Sequence, residues 1–249
     1  MFFRLIAIAA FALSLLAPAN AEELEGDYLY HVMTVRADQG KLEALLNWLA
    51  EMKESDYFED AGMRAPFLMR HSQGDQWDLM AVTPMESWTA FHSKRATNKR
   101  KKAAEEYAEK LAKGAALVAF AEDHFAYGPS LEAFEEAYAD NVFFHIEMFE
   151  AGAGQAADLF EQRRMENAYL AATGQTQNMI FRRAGGSNVD VFTIGFHENF
   201  QAFAAPSGAT AEEAETAAKA AGFKDRADIS FYLRSLITGH HDTLAVKVE

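Results

Sequence analysis

The chain contains no cysteine. That excludes disulfides, thiolate catalysis and cysteine-ligated zinc or iron–sulfur centres. Positive charge is also scarce, with 23 Lys and Arg against 37 Asp and Glu and a net charge of −14. A surface that acidic argues against broad nucleic-acid contact, which depends on neutralising phosphates, and against anionic lipid. Past the N-terminus no stretch is apolar enough to span a bilayer, which takes about 20 residues. Nor is there a glycine-rich phosphate loop, a G-x-S-x-G elbow, an H-E-x-x-H pair or a haem-attachment motif. What the chain does have is 20 Phe and 3 Trp, large apolar side chains on which a fold without disulfides can rest.

Residues 1–21 have the layout of a cleavable secretory leader. Arg4 is the only charge, Leu5–Leu16 is an apolar run, and Pro18 precedes the small-x-small ending Ala19-Asn20-Ala21. Cleavage after Ala21 predicts a periplasmic or secreted product. Without a cysteine at that point a lipoprotein anchor is excluded, so no membrane attachment is expected after processing. Losing Arg4 leaves 22 basic against 37 acidic residues, a net charge of −15.

The rest of the chain repeats itself. YLYHVMTVR (Tyr28–Arg36) aligns with VFFHIEMFE (Val142–Glu150), setting His31 on His145, Gly40 on Gly154 and Leu45 on Leu159 at a spacing of 114. After a two-residue deletion the spacing is 112. Gly62 then falls on Gly174, Arg70 on Arg182, Gly74 on Gly186, Asp78 on Asp190 and Phe91 on Phe203. Repeats of this kind are read before any local feature.

Each copy predicts the same elements. Tyr28–Arg36 suits a strand. Lys41–Lys53 carries Leu42, Leu45, Leu46 and Leu49 at helical spacing. Ala65–His71 and Trp77–Val82 flank a Ser-Gln-Gly-Asp turn, and a helix begins near Met85 and carries Trp88 and Phe91 inward. The counterparts are Val142–Phe149, Ala156–Ala171, Asn178–Arg183, Val189–Phe196 and a helix from about Asn199. Fourth strands are expected at Leu117–Tyr127 and Leu236–Val248. Two insertions differ between the copies: a charged helix over Lys94–Lys113, and an Ala/Glu-rich helix ending near Ala221. The order β-α-β-β-α-β is the split βαβ pattern of ferredoxin-like domains. The predicted class is therefore α+β, with a ferredoxin-like repeat over 22–128, a linker helix over 129–140 with Ser130 as candidate N-cap, and a second repeat over 141–249. Two such sheets in one chain are expected to pack face to face as a pseudo-dimeric barrel.

The strand YLYHVMTVR, the glycine-led helix, the hairpin around WDLMAV and the helix ESWTAFH resemble the dimeric α/β-barrel superfamily. That group includes NIPSNAP-type proteins, antibiotic-biosynthesis-monooxygenase-like proteins and haem-binding enzymes. The resemblance covers nearly the whole chain after the leader. It implies a fold more than an activity, because one fold hosts many functions.

Candidate site residues are mostly histidines. His31 and His145 lie mid-strand, and strand alternation puts them on the face opposite Tyr30, Val32 and Thr34. Either set lines the barrel interior if the sheets close on each other, so the two imidazoles border a cavity or serve as structural histidines. Thr238–Thr243 holds His240, His241 and Asp242. His240 and Asp242 share a face, but no third ligand is evident, so no metal site is assigned. His124 is expected at the equivalent place in the first copy. His92 has Ala204 as its counterpart, and the resemblance implies a helical His as a haem ligand. Arg70 with Asp78 and Arg182 with Asp190 are read as structural cross-strand pairs. The basic cluster on Lys94–Lys102 is balanced by Glu105, Glu106 and Glu109 and reads as a solvated face.

Three functions fit this pattern: a binding module holding a small apolar ligand between the sheets, a cofactor-free or haem-dependent monooxygenase-like enzyme, and a structural protein whose exposed helices mediate assembly, including into homo-oligomers. The catalytic residues and the cofactor stay open.

Overall fold

A computed structural model describes residues 24–248; the leader lies outside them. Eight strands form a closed barrel: β1 (Tyr28–Ala37), β2 (Phe67–Gln73), β3 (Leu79–Glu86), β4 (Val118–Gly128), β5 (Phe143–Ala151), β6 (Asn178–Gly186), β7 (Val191–His197) and β8 (Ile237–Lys247). Their order around the barrel is β1-β3-β2-β8-β5-β7-β6-β4, every neighbouring pair antiparallel. Each copy thus contributes a 4-1-3-2 sheet. The copies join edge to edge, β2 to β8 and β4 to β6, rather than as two stacked sheets. Closure leaves no unpaired edge.

Alternation decides what fills the barrel. Tyr30 and Val32 from β1, Phe144 and Ile146 from β5, Phe181 from β6 and Phe192 and Ile194 from β7 all point inward and are buried. An eight-stranded barrel is just wide enough for side chains to fill, and here large aromatics do so: Phe181 stacks on Phe192 with ring centroids 4.4 Å apart. The apolar ligand expected between the sheets therefore meets a packed core.

One end of the barrel is plugged from the linker. Helix α6 (Leu131–Asp140) starts at Ser130, whose Oγ accepts the Ala133 amide at 3.2 Å. It drives Phe134 among Tyr30, Phe67, Phe181 and Phe196. The Tyr30 hydroxyl donates to the Pro129 carbonyl at 3.0 Å, tying the turn to the barrel.

The other helices pack outside. In the first copy these are α1 (Leu42–Glu54), α2 (Tyr57–Ala61), α3 (Trp88–Phe91), α4 (Lys94–Glu106) and α5 (Ala108–Ala115). In the second they are α7 (Ala156–Ala172), α8 (Phe200–Phe203), α9 (Ala211–Ala220) and α10 (Asp228–Leu236). Leu45 joins Val35 and Leu79 under α1, and Leu159 joins Phe149, Ile180 and Leu233 under α7 and α10. The helix expected over Lys94–Lys113 is broken at Tyr107 into α4 and α5. Helices α2 and α10 were not anticipated. Among the described residues no helix is long and apolar enough to cross a membrane.

The hairpin glycines sit at the two seams. Gly74 has φ +121°, and a Cβ there would lie 2.1 Å from the Asp242 carbonyl oxygen. Gly186 has φ +92°, and a Cβ there would lie 2.6 Å from the Asp123 carbonyl oxygen. Each hairpin crosses the fourth strand of the other copy so closely that only glycine fits.

Candidate functional site

The cross-strand register assembles the site. His145 and Glu147 are alternate residues of β5 and so share its outer face. Glu147 lies directly opposite Asp242 on β8. His145 Nε2 is 2.7 Å from Asp242 Oδ1. In the first copy, His31 Nε2 is 2.5 Å from Asp123 Oδ1 in the same arrangement. The duplicated histidines therefore face away from the barrel interior, each held by an aspartate from its own fourth strand.

The copies differ around this shared pair. Asp242 faces Glu147, whereas Asp123 faces Met33. Around His31 the wall is filled: Phe125 stacks on its ring at 5.0 Å, and Trp88 packs on Phe125 at 4.9 Å. By register, Leu244 stands where Phe125 does, and by the repeat Phe200 matches Trp88 but turns outward, 55% exposed. A cavity of about 270 Å³ opens beside His145, walled by Glu147, Glu166, Leu170, Asn178, His197 and Phe203. Gly195 makes part of this wall possible. A Cβ there would lie 2.7 Å from Asn178 Oδ1 and 3.1 Å from His197 Nε2.

Charge in the wall is shared unequally. Buried Arg163 pairs with Glu147 at 3.4 Å and with Glu166. Burial opposes ionisation of Glu147, but His240, Arg163 and His145 outweigh it and hold its pKa below the ordinary carboxylate value. Glu166 is shifted upward, chiefly by burial. Burial alone would favour neutral His145, yet the Asp242 bond and the nearby carboxylates raise its pKa. His197 is pushed the other way, by burial and by the charge on His145. Arg163 thus faces two carboxylates, Glu147 and Glu166, while Asp242 is partnered by His145.

The other candidates separate. His240 shares the outer face, stacking on Phe149 at 4.8 Å, with Nε2 3.5 Å from Glu147 Oε1. That nitrogen is buried and, among the described residues, has no hydrogen-bond partner. His241 points to the opposite side, 3.3 Å from Asp75. His124 does not match the His240–Asp242 cluster. It pairs with Val32 as Thr243 pairs with Ile146, so Asp123 is the counterpart of Asp242. His124 is buried against Phe192 inside the barrel, and its pKa is lowered to about 4 by burial and by His31. The expected Arg182–Asp190 pair is also not formed. Arg182 pairs with Asp27, and Asp190 pairs with Arg183. Asp78 and Asp190 instead accept the Ala37 and Ala151 amides.

His92 is exposed and stacks on Trp88. Haem does not fit these residues: the implied axial ligand lies on the surface, and the wall cavity presents carboxylates to a cofactor that itself carries carboxylates. Glu147, Glu166 and His197 were missed by sequence reading. The usable signal for Glu147 was the repeat itself, which sets an acid where the first copy has Met33.

No family model and no curated protein matches the sequence. Solved structures align over nearly its full length at low identity. An anthrone oxidase-like protein aligns with a TM-score of 0.58 and 12% identity, covering 90% of this chain and 92% of its own. A monooxygenase candidate from Fusobacterium nucleatum aligns with a TM-score of 0.51 and 9% identity, covering 90% and 94%. The fold is that of the dimeric α/β-barrel proteins. Both halves of the barrel are here supplied by one chain.

Proposed function

We propose that the protein is exported by its leader and binds a small polar molecule in the outer-wall cavity of the second copy. The supporting observation is that His145, Glu147, Glu166, Asn178 and His197 converge on one cavity that is also lined by apolar Leu170 and Phe203. A few placed polar groups in a partly apolar concavity are the usual make-up of a small-molecule site. The excess of carboxylates favours a ligand bearing positive charge or several hydrogen-bond donors.

Saturation-transfer NMR with benzylamine and benzoate, one ring carrying opposite charges, tests this on EDTA-treated protein. Benzylamine is expected to receive saturation and benzoate is not, and Ala202→Trp, which places a large ring at a residue lining the cavity, is expected to remove the benzylamine signal. Equal signals from the two ions, or a signal that survives Ala202→Trp, would overturn the reading.

A second reading, an enzyme that moves a proton, is favoured by His145, which lines the cavity while Asp242 orients its ring. The anthrone oxidase-like neighbour suggests a probe. Anthrone has a C–H acidified by its flanking rings, and with O₂ it yields anthraquinone and water. Faster conversion than in buffer, lost in His145→Asn and retained in His31→Asn, supports this reading. A rate equal to buffer retires it.

A further inference from the structure

We infer that the polar end of the wall cavity binds one divalent first-row transition-metal ion through His145, Glu147 and Asp242. The inference rests on the reading of this wall as the functional site and names the ligand class at its polar end. The three side chains each offer one donor atom, and those atoms lie within 4.8 Å of one another. An imidazole and two carboxylates are a donor set suited to zinc, manganese or iron, with bonds of about 2.0–2.2 Å for zinc.

Three further observations point to a cation. Glu147 and Asp242 are direct cross-strand partners on one face, and like charges placed so repel unless something neutralises them. Arg163 does not do this for both, because it is shared with Glu166 and reaches Glu147 from the helix side, so the positive charge between the two carboxylates rests on the proton that His145 shares with Asp242. The His240 ring is set behind Glu147, its buried Nε2 3.5 Å from Oε1 and with no hydrogen bond among the described residues, where a second imidazole would orient a ligating carboxylate. The triad is also accessible from two sides. His145 and Glu147 line the wall cavity, while Asp242 lines a neighbouring cleft with Gly74, Asp75 and His241. Open coordination positions then face solvent or a small ligand. Binding replaces the proton held between His145 Nε2 and Asp242 Oδ1, and these atoms part from 2.7 Å to about 3.3 Å, the spacing of two ligands on a tetrahedral ion.

The first copy is an internal control. It keeps His31 and Asp123 but has Met33 in the place of Glu147, so it lacks the third donor.

The test is titration of EDTA-treated full-length protein with Co²⁺, read by visible absorption, and with Zn²⁺, read by calorimetry, with no organic ligand present. One equivalent per chain is expected. Glu147→Met and Asp242→Asn should each weaken binding at least tenfold, and Asp123→Asn should leave it unchanged. Asp242 is half-exposed, so its variant remains informative if Glu147→Met fails to fold. No uptake by folded wild-type protein, or uptake undiminished in Asp242→Asn, overturns the site. Because metal is read without benzylamine or anthrone, its failure leaves the small-molecule reading standing, and failure of those probes leaves the metal readout intact.

Discussion

His124 shows how one side chain ties the interior to pH. Burial, aided by the neighbouring His31, lowers its pKa to about 4, below the ordinary value of about 6.5. Between those values the unfolded chain takes up a proton that the folded protein does not. Stability is therefore full above about pH 6.5 and is lost as pH falls toward 4, by at most about 3 kcal/mol. Denaturant titrations across that range should display the slope, and His124→Leu should flatten it. Tyr30→Phe should cost about 1–2 kcal/mol by stranding the buried Pro129 carbonyl, seen as a shifted denaturation midpoint. At this scale the sequence was only half legible. His145 stood out because its strand is written twice, and Asp242 because polar residues cluster around it. Glu147 was hidden because an acid on a strand has no meaning until the opposite residue is known, and that depends on cross-strand register.

Among the elements, the linker helix and the hairpins bear the most consequence. Phe134→Ala should destabilise by about 3–5 kcal/mol, the ordinary cost of emptying a buried aromatic site, while Ser130→Ala at the helix start should cost about 1 kcal/mol. Thermal melts of both variants would check the ranking. The repeat marked Gly74 and Gly186 without saying why. The reason is the close crossing of each hairpin over the other copy's fourth strand, a contact between segments more than 60 residues apart. Gly74→Ala should therefore destabilise by about 1–3 kcal/mol and also disturb Asp242, which lies directly beneath. Six strands were legible because their apolar patterns repeat, and the fourth strand of each copy because the split βαβ order calls for one. Helix α10 was not, since its inward residues Leu233 and Leu236 merge in the sequence with the apolar start of β8.

At the scale of the molecule, neither copy closes a barrel alone. A fragment spanning residues 24–128 leaves β2 and β4 as open edges, and unpaired edges invite association. Size-exclusion chromatography should find it dimeric or aggregated, whereas the intact chain keeps both edges paired internally. A monomeric, fully folded fragment would contradict this account of the seams.

Joining the halves in one chain also removes a constraint that binds every symmetric dimer. When two identical chains supply the halves, any change to one wall is imposed on the other. Here the two walls have diverged. Trp88 and Phe125 close the wall beside His31, while the wall beside His145 stays open and acidic. Stability and chemistry are thus assigned to different halves of a single barrel, and the first copy can be repacked for strength with little consequence for the pocket in the second.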